Sequence, residues 1–236
     1  MEQKSSPDER IEDLQFQGLR IIQNKKLYTF TSDSVVLANF IKTKASEVAV
    51  EIGSGSGVIS ILLSKKQKNK HIYGFEIQKP LYEMSNKSLK LNQLEDHITF
   101  INDKIQNHRK YFEDGSIDVV FSNPPYKKEG TAKINENESK AIARHEKTLN
   151  LNQLCDSVNR LLKFGGRFYV IYDADRSAEL IYNLILHKLE PKRMFFTENG
   201  KGKTTLVVIE AIKGAKHGIQ ILTPLIVNDK DGNYKH

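Results

Sequence analysis

The chain has almost no cysteine and no long apolar segment, and both absences restrict what it can be. Cys155 is the single cysteine among 236 residues, which excludes an internal disulfide and a metal site built on a cysteine cluster, and indicates a reducing compartment. No apolar run approaches the roughly 18 to 20 residues that span a bilayer. The N-terminus also lacks an apolar segment of the secretory type, so we expect a cytoplasmic protein that needs neither a membrane nor a metal.

The length and the charge of the chain limit its organisation and its partners. A chain of 236 residues is long enough for one large domain with a filled core. We expect that domain over residues 31–236, after an N-terminal extension, residues 1–30, that contains a hairpin. The net charge is +7, from 36 Lys and Arg against 29 Asp and Glu, which hints at a polyanionic partner. A general richness in lysine, asparagine and isoleucine could account for part of this charge.

Apolar, strand-like runs alternate with helical segments along most of the chain. Strands are predicted at residues 48–52, 72–76, 98–101, 117–121, 167–172, 194–197 and 204–212. Helices are predicted at residues 35–41, 79–92, 151–162 and 178–188, with another starting at Val58 and with Gly165-Gly166 as a helix stop. Residues 1–12 are expected to be frayed, and residues 19–22 and 27–30 to pair as a hairpin. This pattern predicts an α/β fold, a doubly wound and mostly parallel sheet of seven strands that ends in an antiparallel hairpin.

A glycine-rich turn follows the first strand of this series. Residues 48–52 lead into Gly53-Ser54-Gly55-Ser56-Gly57, and the next helix begins directly afterwards. Because glycine has no side chain, a ligand can approach the free N–H groups of such a turn closely. Glu76 ends the next strand about 20 residues later, at the position where an acidic side chain accepts the hydroxyls of a ribose. The glycine turn and Glu76 together indicate a nucleotide-like ligand more strongly than either feature alone.

A second turn of unusual chemistry ends the strand at residues 117–121. It reads Ser122-Asn123-Pro124-Pro125-Tyr126, and its two prolines remove two N–H donors and force Asn123 into an extended conformation. The turn therefore offers an amide, backbone carbonyls and an aromatic ring, a set suited to holding a planar amino group and stacking on the ring that carries it. The alternative is that the two prolines only terminate the strand.

Four polar features follow successive strands and are expected to meet. In a doubly wound sheet, ligands bind at the carboxyl ends of the strands, and these features lie at such ends: Gly53, Glu76, Asp103 and Asn123. A further polar run, residues 31–34, precedes the helix at residues 35–41, where it could either cap the helix or contact a ligand.

These motifs, in this order, resemble those of class I S-adenosylmethionine-dependent methyltransferases that act on amino groups. The residues that carry the resemblance are the Glu-x-Gly-x-Gly-x-Gly segment at 51–57, Glu76, Asp103 and the Asn-Pro-Pro-Tyr segment at 123–126. Three further segments resemble, more narrowly, the bacterial tRNA1(Val) (adenine-37-N6)-methyltransferase family: residues 30–38, 143–146 and 223–225. The likeness extends from about residue 15 to the end of the chain.

The resemblance implies a Rossmann-like fold with S-adenosylmethionine as the cofactor. It implies that Glu51 and the glycine turn hold the methionine part, that Glu76 holds the ribose hydroxyls, and that Asp103 binds the adenine. The full set of expected cofactor contacts is Thr31, Asp33, Glu51, Gly53, Ser54, Gly55, Gly57, Glu76, Ile77, Asp103, Lys104 and Asn123.

The resemblance also implies a catalytic group, namely Asn123, Pro124, Pro125 and Tyr126. An adenine amino nitrogen is a poor nucleophile because its lone pair is delocalised into the ring. The Asn123 amide oxygen and the Pro124 carbonyl would accept both of its N–H bonds and favour a pyramidal nitrogen, while Tyr126 stacks on the base. Alignment in a polar site then supplies most of the catalysis, without a metal or a dedicated base.

The expected substrate is tRNA, bound by a monomer through the catalytic domain itself. The target base must be unstacked, as in an anticodon loop. Residues 127–140 are polar and aperiodic and are predicted to form a functional loop, and the expected RNA contacts are Lys127, Lys128, Arg144 and His145. Two other basic clusters, residues 65–70 and 201–203, could also contact RNA or simply be solvated.

Three alternatives share some of these motifs. A glutamine-methylating enzyme acting on a release factor would use the same turn, but it would usually carry a helical domain before the cofactor strand. An enzyme methylating adenine in DNA or ribosomal RNA is a second possibility, although little room is left for a DNA-recognition region. A non-catalytic RNA-binding protein is the third, and the intact Glu76 and Asn-Pro-Pro-Tyr segment argue against it.

Overall fold

A computed structural model describes residues 8–27, 30–67, 69–125 and 149–227. The strands within these ranges are β1 Glu9–Asp13, β2 Arg20–Asn24, β3 Val48–Ile52, β4 His71–Phe75, β5 Ile98–Ile101, β6 Ile117–Ser122, β7 Leu162–Asp173, β8 Leu189–Glu198, β9 Thr204–Lys213, β10 Gln220–Ile221 and β11 Leu225–Ile226. The α-helices are α1 Ser32–Phe40, α2 Val58–Lys66, α3 Lys79–Asn92, α4 Leu151–Leu161 and α5 Ser177–Leu186. Short 3₁₀ helices cover Ile105–Lys110 and Ala174–Arg176.

One large sheet contains all seven of the predicted strands. Its order is β10-β8-β9-β7-β6-β3-β4-β5, with β11 also paired to β8. The strands β7, β6, β3, β4 and β5 are parallel, whereas β9 is antiparallel to both β7 and β8. The prediction of a doubly wound sheet with a terminal antiparallel hairpin is therefore confirmed, and two strands of two residues each extend it at the β8 edge.

The sheet is buried on both faces because its strands alternate their side chains between two apolar clusters. Ala49 and Phe121 point into the cluster that contains residues of α1, α2 and α3. Val50 and Val120, one position away on the same strands, point into the cluster that contains residues of α4 and α5. Near-continuous apolar strands are what a parallel sheet covered by helices requires.

The N-terminal hairpin has a different first strand from the one predicted. Strand β2 pairs with β1, so that Ile11 lies opposite Ile22, and half of the predicted partner, residues 28 and 29 of 27–30, lies outside the described residues. Residues 8–12 were expected to be frayed, yet Lys87 on α3 bonds Glu9 at 2.7 Å. The connection between β1 and β2 uses Gln15 and other residues with positive φ, a turn that the composition of the segment did not reveal.

Gly165 and Gly166 do not stop a helix. Helix α4 ends at Leu161 and β7 begins at the next residue, so the glycines lie inside the strand. The pairing of β6 with β7 jumps from Ile117–Leu162 to Val119–Arg167. The intervening residues therefore form a bulge, in which Gly165 has φ +77° and a Cβ on Gly166 would lie 2.9 Å from a backbone oxygen. Both positions suit glycine because of the bulge.

Candidate functional site

Four strands that are adjacent in the sheet bring the predicted polar features to one edge. The order β6-β3-β4-β5 places the segments that follow these strands side by side, in the order Asn123, Gly53, Glu76 and Asp103. The carboxyl edge of a parallel sheet is where ligands bind in doubly wound folds.

The glycine turn leaves one side open and packs the other tightly. Gly53, Gly55 and Gly57 all have positive φ, a conformation that favours glycine. A Cβ on Gly57 would lie 2.5 Å from the Phe100 ring, whereas a Cβ on Gly53 would meet nothing within 4 Å. Between them, the buried hydroxyl of Ser54 has no hydrogen-bond partner among the described residues. The turn therefore leaves its backbone open at Gly53 and holds a buried hydroxyl that no described residue hydrogen-bonds.

Glu76 joins the glycine turn to the start of α3. Its side chain is buried, and its two carboxylate oxygens accept hydrogen bonds from the backbone N–H groups of Gly55 and Gln78, each at 2.8 Å. A carboxylate oxygen can accept more than one hydrogen bond. The pair of contacts orients the carboxylate between the glycine turn and the start of α3.

Asp103 is held by four donors. Burial acts to raise the pKa of its carboxyl, but hydrogen bonds from Lys110 at 3.0 Å, Asn107 at 2.6 Å, the backbone N–H of Lys104 at 2.8 Å and Tyr111 at 3.1 Å outweigh it and lower the pKa to about 2. The carboxylate is therefore ionised and oriented at neutral pH. Three of these donors come from the 3₁₀ helix after β5 and the residue that follows it, which the sequence did not associate with the site.

A small cleft lies between the glycine turn and Asp103. The predicted residues Gly53, Ile77, Asp103 and Lys104 all line it. The sequence did not identify the rest of the lining, which is Ile52, Phe75, Ile105, Gln106 and Leu149. The apolar side chains in this lining suit a flat heterocycle.

Asn123 is held by a residue that the sequence did not assign to it. Its amide nitrogen donates to the hydroxyl of Ser34 on α1 at 3.3 Å, and its amide oxygen accepts no hydrogen bond from the residues that the structure describes. Ser122, one residue earlier, ties β6 to β3 by donating to the carbonyl of Ile52 at 2.8 Å. Thr31, at the N-cap of α1, makes no side-chain capping bond. The polar run at residues 31–34 thus reaches the site through Ser34.

A larger cavity of about 210 Å³ adjoins the two prolines. Pro124 and Pro125 form one wall, and the remaining lining is Leu149, Asn150, Leu151, Leu154, Tyr172, Arg176 and Glu179. The sequence identified none of this second group, which comes from the segment before α4 and its start, the end of β7, the 3₁₀ helix Ala174–Arg176 and the start of α5. The predicted residues Tyr126, Lys127, Lys128, Arg144 and His145 lie outside the described residues.

Glu51 is almost fully buried beside this edge. Burial raises the pKa of its carboxyl from 4.5 to about 8, although the Ser60 hydroxyl donates to it and acts in the opposite direction. The nearby Glu76 adds to the rise. The folded protein therefore keeps a proton on Glu51 at neutral pH.

The raised pKa of Glu51 predicts that the free energy of unfolding falls as the pH rises. The folded state holds a proton that the unfolded state releases above pH 4.5, so the contribution is full below that pH and lost as the pH rises through about 8. At about 1.36 kcal/mol per pKa unit, the loss is at most about 5 kcal/mol. Urea unfolding of Glu51→Gln at pH 5.5, 7 and 8.5 should show a flatter dependence than the unaltered chain, and equal slopes would contradict the assignment.

Three further observations concern Cys155, metal-binding groups and membrane-spanning helices. Burial raises the pKa of the Cys155 thiol to about 12, as expected of a structural thiol. Among the residues that the structure describes, no group of His, Cys, Asp and Glu could hold a metal ion. No helix within the described ranges is long and apolar enough to cross a membrane.

The sheet order defines a doubly wound α/β protein with a candidate ligand site at the carboxyl edge of its parallel strands. A family model described as the methyltransferase small domain matches residues 29–189. The chain belongs to this family, in agreement with the methyltransferase class that its motifs resemble.

Relatives with described functions extend over most of the chain. A protein of Dyadobacter fermentans is 23% identical over 92% of this chain and 89% of its own length, and one of Haemophilus influenzae is 24% identical over 93% and 91%. A third, from Shewanella baltica, is 28% identical over 59% of this chain and 58% of its own length. All three are described as tRNA1(Val) (adenine(37)-N6)-methyltransferases.

Solved structures share the fold. A protein of Agrobacterium tumefaciens described as a predicted O-methyltransferase has a TM-score of 0.67 at 15% identity, covering 86% of this chain and 91% of that one. Geranyl diphosphate C-methyltransferase of Streptomyces coelicolor, solved with S-adenosyl-L-homocysteine, has a TM-score of 0.57 at 12% identity, covering 77% and 78%. At these identities the likeness concerns the fold alone.

Proposed function

We propose that the chain transfers a methyl group from S-adenosylmethionine to the N6 amino group of an unstacked adenine in tRNA, at adenine 37 of valine tRNA. The observation that carries the proposal is the position of Asn123. Its amide nitrogen donates to Ser34, its oxygen has no partner among the described residues, and it follows β6, the neighbour of the strand β3 that leads into the Gly53 turn, in a member of a methyltransferase family. The relatives that match almost the whole chain are described by this reaction.

The residues at the sheet edge fit the cofactor. The open side of Gly53 and the unpartnered hydroxyl of Ser54 would face its methionine part, with Glu51 behind them. Glu76 would accept the ribose hydroxyls, and the cleft between Ile77 and Asp103 would hold the adenine. When bound, the cofactor supplies an electrophilic methyl group on a sulfonium. Gly55, Gly57 and Lys104 would contribute backbone, and Thr31 and Asp33 would lie near the site because Ser34 does.

Asn123 and Pro124 would prepare the nucleophile. The amide oxygen of Asn123 and the carbonyl of Pro124 would each accept one N–H bond of the adenine amino group. This pair of bonds draws the two hydrogens to one side, so that the nitrogen lone pair points away from the oxygens and toward the donor. Because these acceptors are fixed by Ser34 and by the proline backbone, they cost little reorganisation during the reaction. Pro125 stiffens the turn, and Tyr126 would stack on the base.

The remaining expectations belong to the same proposal. We propose that the enzyme is a cytoplasmic monomer whose catalytic domain is formed by residues 31–236. The proposed RNA contacts are Lys127, Lys128, Arg144 and His145. The net charge of +7 supports a polyanionic substrate. Residues 1–30 would serve as an extension of this domain. Strand β2 in this extension contacts α3, because the backbone N–H of Ile22 donates a hydrogen bond to the Ser88 hydroxyl at 3.0 Å.

The test is methylation of defined RNA. The purified chain is incubated with labelled S-adenosylmethionine and an unmodified valine tRNA transcript, and the product is digested and separated by mass spectrometry. We expect N6-methyladenosine, which should be lost when adenine 37 is replaced by guanine. Parallel reactions contain a release factor or duplex DNA in place of the transcript. Label that enters one of these, and not the transcript, would contradict the proposal and favour the glutamine-methylating or DNA-methylating alternative.

A further inference from the structure

The tip of the β8–β9 hairpin projects beyond the sheet edge that holds the site. The register places Ser122 level with Val170 on β7, then with Ile209 on β9 and Met194 on β8. From that level β8 continues for four residues and β9 for five before the turn at 199–203. At about 3.3 Å per residue, the hairpin rises about 15 Å past the end of β6.

The hairpin is also close to the site in the direction perpendicular to the strands, across the sheet. Strand β9 is two positions from β6 in the sheet, so at about 4.8 Å between strands it lies about 10 Å away. A nucleic acid whose base enters between Asn123 and the glycine turn would pass beside this hairpin.

The tip is an ordered turn that presents two lysines. The side-chain oxygen of Asn199 accepts hydrogen bonds from the backbone N–H groups of Lys201 at 3.1 Å and Lys203 at 2.9 Å. Gly202 has φ +75° and open space around its Cα. Lys201 and Lys203 are exposed, and neither forms an ion pair with a described residue. The acidic residue nearest in sequence, Glu198, is half-buried at the end of β8.

The second basic cluster lies at the opposite edge. Helix α2 starts at the glycine turn and runs away from the site, so Lys65 is near its far end and Lys70 precedes β4. Lys66 is engaged locally, because its ammonium bonds Asn39 at 2.6 Å and lies 4.1 Å from the centre of the Phe16 ring. The fold thus separates two clusters that the sequence could not rank.

We propose that the hairpin tip, residues 199–203, binds backbone phosphates of the RNA next to the nucleotide that is methylated. The proposal rests on the proposed function and names a surface that the substrate uses. Two exposed ammonium groups on a turn with two glycines can approach phosphates without a side chain in the way. Contacts of this kind position the RNA and carry no base specificity.

The test compares two double variants with the same change in charge. Lys201→Gln/Lys203→Gln alters the hairpin tip, and Lys65→Gln/Lys70→Gln alters the opposite edge. The dissociation constant for a labelled valine tRNA transcript is measured between 0.05 and 0.3 M salt. We expect the hairpin variant to bind about tenfold more weakly near 0.15 M salt, with a slope of log K against log salt smaller by about 1.5, because two phosphate contacts are lost.

The opposite-edge variant and the unaltered chain distinguish failure of the hairpin proposal from failure of the proposed function. The opposite-edge variant should bind within about twofold of the unaltered chain, and calorimetry should give both variants an unchanged affinity for S-adenosylmethionine. Equal losses in both variants, or no loss in either, would overturn the hairpin proposal even if the unaltered chain methylates tRNA. Absence of methylation by an unaltered chain that binds tRNA through the hairpin would overturn the proposed function and leave the binding surface in place.

Discussion

Replacing Asn123 by alanine is expected to lower kcat for tRNA methylation by about 10² to 10³-fold. The variant removes one of the two oxygens that would hold the amino group, and the loss of one preorganised hydrogen-bonding group in an active site has an effect of this size. Because Asn123 is half-buried at the end of β6 and its described contact is a single hydrogen bond to Ser34, the fold should persist. Single-turnover rates at saturating tRNA and cofactor measure the chemical step directly.

Asn123→Asp is the matched variant for this prediction. It keeps an acceptor oxygen at the same position but loses the N–H that donates to Ser34, so we expect a smaller loss of rate than for alanine. Thermal unfolding and RNA affinity should be close to those of the unaltered chain in both cases. A rate that is unchanged in Asn123→Ala would show that the proline turn only ends the strand.

Replacing Glu76 by alanine is expected to weaken binding of S-adenosylmethionine by about 10²-fold or more. Hydrogen bonds to a charged group contribute about 1.5–3 kcal/mol each, and about 1.4 kcal/mol corresponds to a tenfold change in affinity. The variant also frees the backbone N–H groups of Gly55 and Gln78, so the glycine turn loses an anchor. Calorimetric titration with the cofactor, in the absence of RNA, measures the effect.

Glu83→Ala is the control for Glu76. Glu83 lies on α3, is exposed, and forms a loose ion pair with Lys79 at 3.8 Å as its contact among the described residues, so its removal gives the same change in charge without touching the site. Its cofactor affinity should match that of the unaltered chain. Equal dissociation constants for Glu76→Ala and Glu83→Ala would contradict the role proposed for Glu76.

Much of the candidate site could be predicted because its signals are local. The glycine turn at 53–57, the acid at the end of the next strand and the two prolines after β6 each restrict the backbone within a few residues. Helix α3 was predicted with its observed bounds, Lys79–Asn92, because its amphipathic pattern is long. The meeting of these features at one sheet edge followed from the rule that ligands bind at strand carboxyl ends.

The two errors in the predicted fold have separate causes. The partner of β2 was predicted wrongly because the pairing of an edge strand depends on a turn with positive φ at residues that are not glycine. The two glycines at 165–166 were predicted as a helix stop, but Leu162 is buried in the sheet directly after α4, so the strand starts earlier and the extra residues bulge outward. At residues 165–166 tertiary packing overrode the local signal, whereas the pairing of β2 depends on the backbone conformation of a turn.

By itself, the sequence determined the alternation of strands and helices, the turns that end them, and the kinds of polar group that each turn carries. These depend on backbone restriction and side-chain periodicity, which act over a few residues. Only the tertiary structure decided that Ser34 holds Asn123 across 89 positions, which donors hold Asp103, and which lysines stand beside the site. Those facts depend on how separate elements pack, and burial and strand register act between residues that are far apart along the chain.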